Sequence, residues 1–379
     1  MTHIAYFGHD SGDAAIRRRV RALEDDGLSV TGYMMRRGAS KDVAWTNIDL
    51  GRTHDGAFFQ RIRAVFSGAD KAVSESGALK DADLILARNL DMLGCAFLAK
   101  RKAGLKTPVV YESLDIHRKL TASGPVSILL RALERSLLKR CAGLIVSSPG
   151  FLRNYFETRH KGLFTAYLVE NRLAAGADYG ARPEVETDLQ QGKLRLGWFG
   201  KLRCQKSFDL LLAMADRFPG QVEIVLHGIP ADTEIAVFEP EIEKRSNVRF
   251  GGRYKSPEDL ARIYSEVDVV WAGDYMEAGY NSVWLLPNRL YEGGYYAVPS
   301  IAPRDTETAS WIDAHTAGFT IPEPVETSLP SLIEQLLADP SPVVTARKAL
   351  LATREGAFIQ PKGTLRTIID ACLEGVPRP

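Results

Sequence analysis

The feature that most constrains this chain is an alternation of short apolar runs with amphipathic stretches, which occurs twice with a break between. In the first half, Ile4–Phe7 reads as a strand. The stretch Ala14–Asp26 follows with apolar residues at Ile16, Val20 and Leu23 and stops at Gly27. Ser29–Met34, Leu84–Ala87, Val109–Tyr111 and Leu144–Ser147 read as further strands. Around Ala174–Gly192 the pattern gives way to small, polar, Pro- and Gly-containing sequence, which reads as a linker. It then resumes with strands at Leu194–Trp198, Val222–Leu226, Val248–Phe250, Val267–Ala272 and Val298–Ala302. Helical stretches lie between at Phe208–Phe218, Pro257–Tyr264 and Leu286–Tyr296. Such alternation implies parallel, doubly wound sheets. The expectation is an α/β protein of two domains, 1–173 and 193–379, joined by 174–192 and facing a cleft. The final helical stretch, within Val343–Leu373, could cross back to the first domain. With 379 residues the chain accommodates two such cores.

Composition excludes several classes. The net charge of +1 predicts neither a nucleic-acid binder nor an acidic tail. Residues 1–190 nevertheless hold 28 Lys/Arg against 22 Asp/Glu, and the remainder 20 against 25. A basic first half suits an anionic membrane surface or a phosphate-bearing acceptor, although ordinary surface variation produces the same asymmetry. Cys95, Cys141, Cys204 and Cys372 form no C-x-x-C pair, which argues against a zinc site and a disulfide framework and fits a reducing compartment. No signal-peptide pattern and no apolar run long enough to span a bilayer is present. The expected location is therefore the cytoplasm, at most resting on the inner face of the cell membrane.

Two segments carry candidate chemistry. The first is G-W-F-G-K-L-R-C-Q-K-S at Gly197–Ser207, between a strand and a helix. Gly200 allows close backbone approach, and Lys201, Arg203 and Lys206 offer positive charge near a helix start, a setting suited to a diphosphate. A solvated basic turn is the competing reading. The second is N-S-V-W-L-L-P-N-R-L-Y-E-G-G-Y-Y-A-V-P-S-I at Asn281–Ile301. Pro287 is a good helix start. Glu292 then falls in a largely apolar helical stretch, where a carboxylate needs a partner. A ribose diol would supply one, as would Arg289 or a backbone amide.

Together these segments resemble glycosyltransferase family 4 and its GT-B relatives. G-K-L-R-C-Q-K-S is similar to their G-R-L-x-x-x-K-G, and P-N-R-L-Y-E-G-G-Y-Y-A-V-P-S-I to their P-x-K-L-x-E-x-x-A-x-G-x-P-V-I. The resemblance places Lys201 and Lys206 on the donor diphosphate and Glu292 on the donor ribose. The family carries another Glu eight residues before the ribose Glu, and Trp284 occupies that position here. Glu277 could take its place, with Gly279, Tyr280 and Asn281 near the sugar and phosphates. The first half, from F-G-H-D-S-G-D-A-A-I-R-R-R through V-V-Y-E-S-L-D-I-H-R-K-L, resembles bacterial succinoglycan-type exopolysaccharide sugar transferases.

The resemblance implies a hexosyltransferase that moves a hexose, glucose from UDP-glucose in the first instance, to a glycan or lipid-linked oligosaccharide. It implies no metal or other cofactor. The leaving diphosphate would be stabilised by Lys201, Arg203 and Lys206. The first half would supply any general base, with Asp10, Asp13, Asp115 and His117 as candidates. A retaining enzyme needs no such base, and His117 or His9 would then hydrogen-bond the sugar. Helix capping is the competing reading, above all for Asp13. Ala57–Phe66 spaces Phe58, Phe59, Ile62, Val65 and Phe66 as a helix beside Arg61 and Arg63, which suits a membrane surface or a core-facing helix equally. A GT-B nucleotide-sugar epimerase and a non-catalytic nucleotide-sugar or glycan binder are the remaining readings. A nicotinamide dehydrogenase is disfavoured, because no G-x-G-x-x-G follows either opening strand.

Overall fold

The computed structural model describes residues 1–38, 43–53, 58–75, 77–184, 189, 191–231 and 233–375. They form two compact units. The first comprises Met1–Glu170, Ala174–Gly176 and the chain from Gln360 onward; the second comprises Asn171–Leu173 and Ala177–Ile359.

In the first unit seven parallel strands run in the order β3-β2-β1-β4-β5-β6-β7. They are β1 (His3–Gly8), β2 (Ser29–Arg36), β3 (Thr46–Arg52), β4 (Leu84–Arg88), β5 (Val109–Ser113), β6 (Gly143–Val146) and β7 (Ala166–Leu168). The interior strands bury nearly every side chain, as strands covered by helices on both faces must. Helices α1 (Ala14–Asp25), α2 (Phe58–Ser74), α3 (Asn89–Lys102), α4 (Arg118–Thr121) and α5 (Pro125–Leu138) lie between the strands. Strand order reverses direction between β1 and β4, so the loops after these two strands flank the crevice where such sheets bind ligands.

The second unit has six parallel strands in the order β10-β9-β8-β11-β12-β13. These are β8 (Leu194–Leu202), β9 (Val222–Pro230), β10 (Val248–Phe250), β11 (Val269–Trp271), β12 (Ser300–Pro303) and β13 (Gly318–Ile321). Its switch point lies between β8 and β11. The basic segment spans the end of the first of these strands and the turn after it, and the Glu277 loop follows the second.

Two connections depart from a simple bead-on-string order. Part of the stretch read as a linker is bound to the second unit. Arg182 donates to the carbonyls of Tyr295, Leu350, Leu351 and Thr353, and the Tyr179 carbonyl accepts from the Tyr296 hydroxyl. The last helix, Thr364–Glu374, belongs to the first unit. The Asp26 carboxylate, just past α1, accepts the amides of Gly363, Leu365 and Arg366 and so caps its start.

Candidate functional site

In the second unit the two motif segments meet. β8 continues through Gly200, Lys201 and Leu202, paired with Gly228, Ile229 and Pro230 of β9. Lys201 therefore stands on the strand and not in the turn expected from sequence; the turn is confined to Arg203 and Cys204. Gly200 holds φ +109 and Gly228 φ +141. A Cβ on Gly228 would lie 1.8 Å from the Gly200 carbonyl oxygen, so the close approach of these strand ends requires glycine. The helix Gln205–Arg217 follows and carries in its first turn Lys206, whose Nζ lies 2.9 Å from Glu326 and 4.3 Å above the Tyr275 ring. The Tyr275 amide donates to Cys204 Sγ at 3.3 Å, which ties the basic turn to the loop after β11.

That loop is closed on itself. Ser282 Oγ donates to Asp274 at 2.6 Å and accepts the Glu277 amide at 2.8 Å. Gly279 takes φ +84. Tyr280 is half exposed and packs edge-on against Trp284, the residue at the family's first Glu position. Asn281 is buried. The helix after Pro287 spans Asn288–Tyr295, with Pro287 as its cap and not its first residue.

Glu292 is 3% exposed, and its Oε2 accepts from the Tyr264 hydroxyl at 3.0 Å. This hydroxyl is a partner that the sequence reading did not consider. Burial, reinforced by the Glu292 charge, raises the Tyr264 pKa, so the phenol keeps its proton and donates it to the carboxylate. Tyr264 also meets the Phe199 ring edge-on at 5.0 Å, which links Glu292 to the end of β8. Arg289 closes the same link by donating Nη1 to the Phe199 carbonyl at 2.9 Å. Among the described residues its Nε has no hydrogen-bond partner, and no carboxylate lies within ion-pair distance. Burial lowers its pKa, opposed by Asp274, but an arginine stays charged. Sequence reasoning left Arg289 as a partner for Glu292 and missed Tyr264, Asp274 and Ser282. A buried arginine one helical turn before a buried glutamate was a usable signal; the other three had none.

In the first unit the candidates divide by what their acceptor atoms already do. Asp13 Oδ1 takes the amides of Ala15 and Ile16 and caps α1. Burial alone would raise its carboxyl, but His9, Arg88 and the two amides hold it below the usual range. His9 lies 3.9 Å from Asp13 Oδ2 and 3.4 Å from the Asn89 side-chain nitrogen, which can only donate. Burial lowers the His9 pKa.

His117 caps α4, its Nδ1 accepting the Lys119 amide at 3.1 Å. Burial and then Arg61, Lys119 and Arg118 lower its pKa. With Nδ1 accepting that amide, the neutral ring carries its proton on Nε2 and can donate a hydrogen bond there. Among the described residues Asp10 receives one side-chain hydrogen bond, from the Gly12 amide. Asp115 is exposed.

Beneath this loop Glu112 accepts from Tyr6, Arg19 and Arg88, all buried. The paired arginines overcome burial and hold its carboxyl down at about 2. Of the expected aromatic helix, Ala57 and the side chains of Phe58, Phe59 and Ile62 lie outside the described residues. Phe66 is exposed, and Arg61 lies 3.7 Å from Asp91. Among the described residues no cluster of three His, Cys, Asp or Glu could hold a metal, and no helix is long and apolar enough to cross a membrane.

The whole chain superimposes on solved structures. Sucrose-phosphate synthase from Thermosynechococcus elongatus matches at TM-score 0.72 and 16% identity, over 97% of this chain and 98% of that one. Anabaena HepE, solved in complex with UDP and glucose, matches at 0.71 and 17%, over 99% and 100%. WaaG, a glycosyltransferase involved in lipopolysaccharide biosynthesis, matches at 0.64 and 14%, over 98% of each chain. The two parallel-sheet units give the chain the GT-B fold of these structures. No protein-family model matches the chain. It is 38% identical over 327 residues to the succinoglycan biosynthesis protein ExoL of Rhizobium meliloti, across 85% of this chain and 81% of that protein. The chain belongs to the ExoL family.

Proposed function

We propose that the chain transfers a hexose, glucose in the first instance, from a UDP-sugar to a glycan acceptor in exopolysaccharide assembly. The acceptor is a lipid-linked oligosaccharide on the cytoplasmic face of the cell membrane. The observation that carries the reading is the joining of Gly200–Lys206, Arg289 and Glu292 at the switch point of one sheet. Membership of the ExoL family supports the pathway, and HepE, solved with UDP and glucose, supports the donor class.

The roles follow from the local chemistry. Glu292, a buried carboxylate beside a tyrosine that donates to it, offers its oxygens as acceptors for ribose hydroxyls. Charge develops on the diphosphate as the glycosidic bond breaks, and Lys201, Arg203, Lys206 and Arg289 stabilise it without a metal or another cofactor. Lys206 exchanges its exposed Glu326 partner for the phosphate. Glu277, Gly279, Tyr280 and Asn281 contact the donor sugar. In the first unit His117 donates a hydrogen bond to sugar or phosphate oxygen, and Asp10 is the carboxylate fit to take the acceptor proton. Asp13 and Asp115 support that loop face.

A panel of nucleotides in thermal-shift assays tests the reading, because a ligand that binds only the folded state raises its melting temperature. UDP and UDP-glucose should raise it and NAD should not. No rise with any nucleotide would end the transferase reading and favour a glycan-binding protein. Conversion of the nucleotide sugar without an acceptor would favour an epimerase.

A further inference from the structure

Helix α5 buries two polar residues along with Leu137 and Leu138 and leaves four apolar ones outside. Its Ser127 and Glu134 are buried, while Val126, Ile128, Leu129 and Leu133 face solvent, with Leu129 70% and Ile128 61% exposed. Glu134 is held inside by the hydroxyls of Tyr111 and Tyr155 and by His160 Nε2. That buried network fixes the helix rotation, so the apolar face cannot roll inward without stranding a carboxylate. At about 100° per residue the four exposed side chains fall within one arc of roughly 160°. Four of the ten strongly exposed large apolar side chains among the described residues thus lie on one helix. A continuous apolar face of this kind marks an interaction surface.

The charge around it selects the occupant. Between Ile116 and Arg140 there are six Lys/Arg and one acidic residue, the buried Glu134. Arg135 and Lys139 are exposed along the Ile128 edge of the apolar arc. A second copy of the chain would bring one basic face against another. An anionic bilayer satisfies both features: its acyl boundary takes the apolar arc and its headgroups take the cations. With 14 residues the helix is about 21 Å long, suited to lying in the interface and too short to span it. We propose that α5 is the face by which this protein rests on an anionic lipid surface. The inference is independent of the sugar-transfer reading, since lipid binding is read without donor or acceptor.

The test is cosedimentation of the full chain with phosphatidylcholine vesicles, with and without about one third phosphatidylglycerol. The wild type should partition onto the anionic vesicles and far less onto neutral ones. An Ile128→Asp/Leu129→Asp variant should lose about tenfold or more of that partitioning with an unchanged thermal melt, because both sites are exposed. Arg135→Glu/Lys139→Glu should abolish the preference for anionic lipid. Absence of wild-type binding to either vesicle, or equal binding by the aspartate pair, would overturn the proposal. A dimer in sedimentation velocity that the aspartate pair dissolves, without vesicle binding, would assign the face to a second copy and overturn it as well.

Discussion

Replacing Glu112 with glutamine measures how far the first unit depends on one buried charge. Glu112 receives Arg19 Nε at 2.7 Å, Arg88 Nε at 2.8 Å, Arg88 Nη2 at 3.0 Å and the Tyr6 hydroxyl at 2.8 Å. Its carboxyl is held at about 2, against an ordinary value of 4.5. At 1.36 kcal/mol per pH unit, that difference is about 3 kcal/mol of stability at neutral pH. A second route agrees: removing one member of a buried ion pair costs roughly 3–5 kcal/mol. For a unit of this size, such a loss lowers the melting temperature by roughly 10 °C. The pH dependence carries a sign. A carboxyl depressed in the folded state stabilises fully above its unfolded value and loses that contribution as pH falls toward its folded value. The gap between wild type and Glu112→Gln should therefore be widest near neutral pH and shrink from about pH 4.5 toward pH 2. Calorimetry across this range reads it. A gap below about 2 °C near neutrality, or one that does not change with pH, would refute the reasoning.

Two further substitutions separate chemistry from scaffolding. Asp13→Ala should cost about 1 kcal/mol in urea unfolding through the lost cap of α1, whereas Asp13→Asn, an equally good cap, should keep both stability and turnover. Loss of turnover in the asparagine variant alone would make Asp13 a participant in the reaction. Lys206→Ala should lower turnover about a hundredfold with little change in melting temperature, because its ion pair with Glu326 is exposed. Glu326→Ala should leave turnover intact, and wild-type rates in Lys206→Ala would reduce the basic turn to surface.

What was legible in the sequence follows from burial. Interior strands such as Leu84–Arg88 and Val109–Ser113 are covered on both faces, so they appear as apolar runs. The strands that escaped notice, β3, β7 and β13, are sheet edges, and edges need no such run. Thr46–Arg52, with Asn47, Asp49 and Arg52, looks like loop until a neighbouring strand pairs with it. The basic segment and Glu292 could be singled out because charge in an apolar context demands a reason. Tyr264 could not, since a tyrosine in a helix 28 residues away becomes a site residue only through tertiary contact. The same holds for the Glu112 cluster, which gathers Tyr6, Arg19 and Arg88 from three separate elements. The rotation of α5 was equally hidden, because its sequence reads as an ordinary amphipathic helix until Glu134 is found on the inward side.

Both units carry buried arginine at the carboxyl ends of their central strands, and the difference between the two sites separates structure from binding. In the first unit Arg19 and Arg88 face Glu112, and Arg88 also feels Asp13, so two positive charges meet two negative ones. Such a cluster has no electrostatic need of a ligand. In the second unit Arg289 feels Asp274, but Arg203 opposes it, and no carboxylate among the described residues pairs with the guanidinium. A buried cation left in this condition is costly unless an anion completes it. Backbone strain points the same way, since Gly200 beside Arg289 adopts a conformation open to glycine at little cost and keeps that corner clear of side chain. A departing diphosphate would bring negative charge to the buried Arg289 guanidinium. The proposed placement of the donor in the second unit thus has electrostatic support beside that of its motifs.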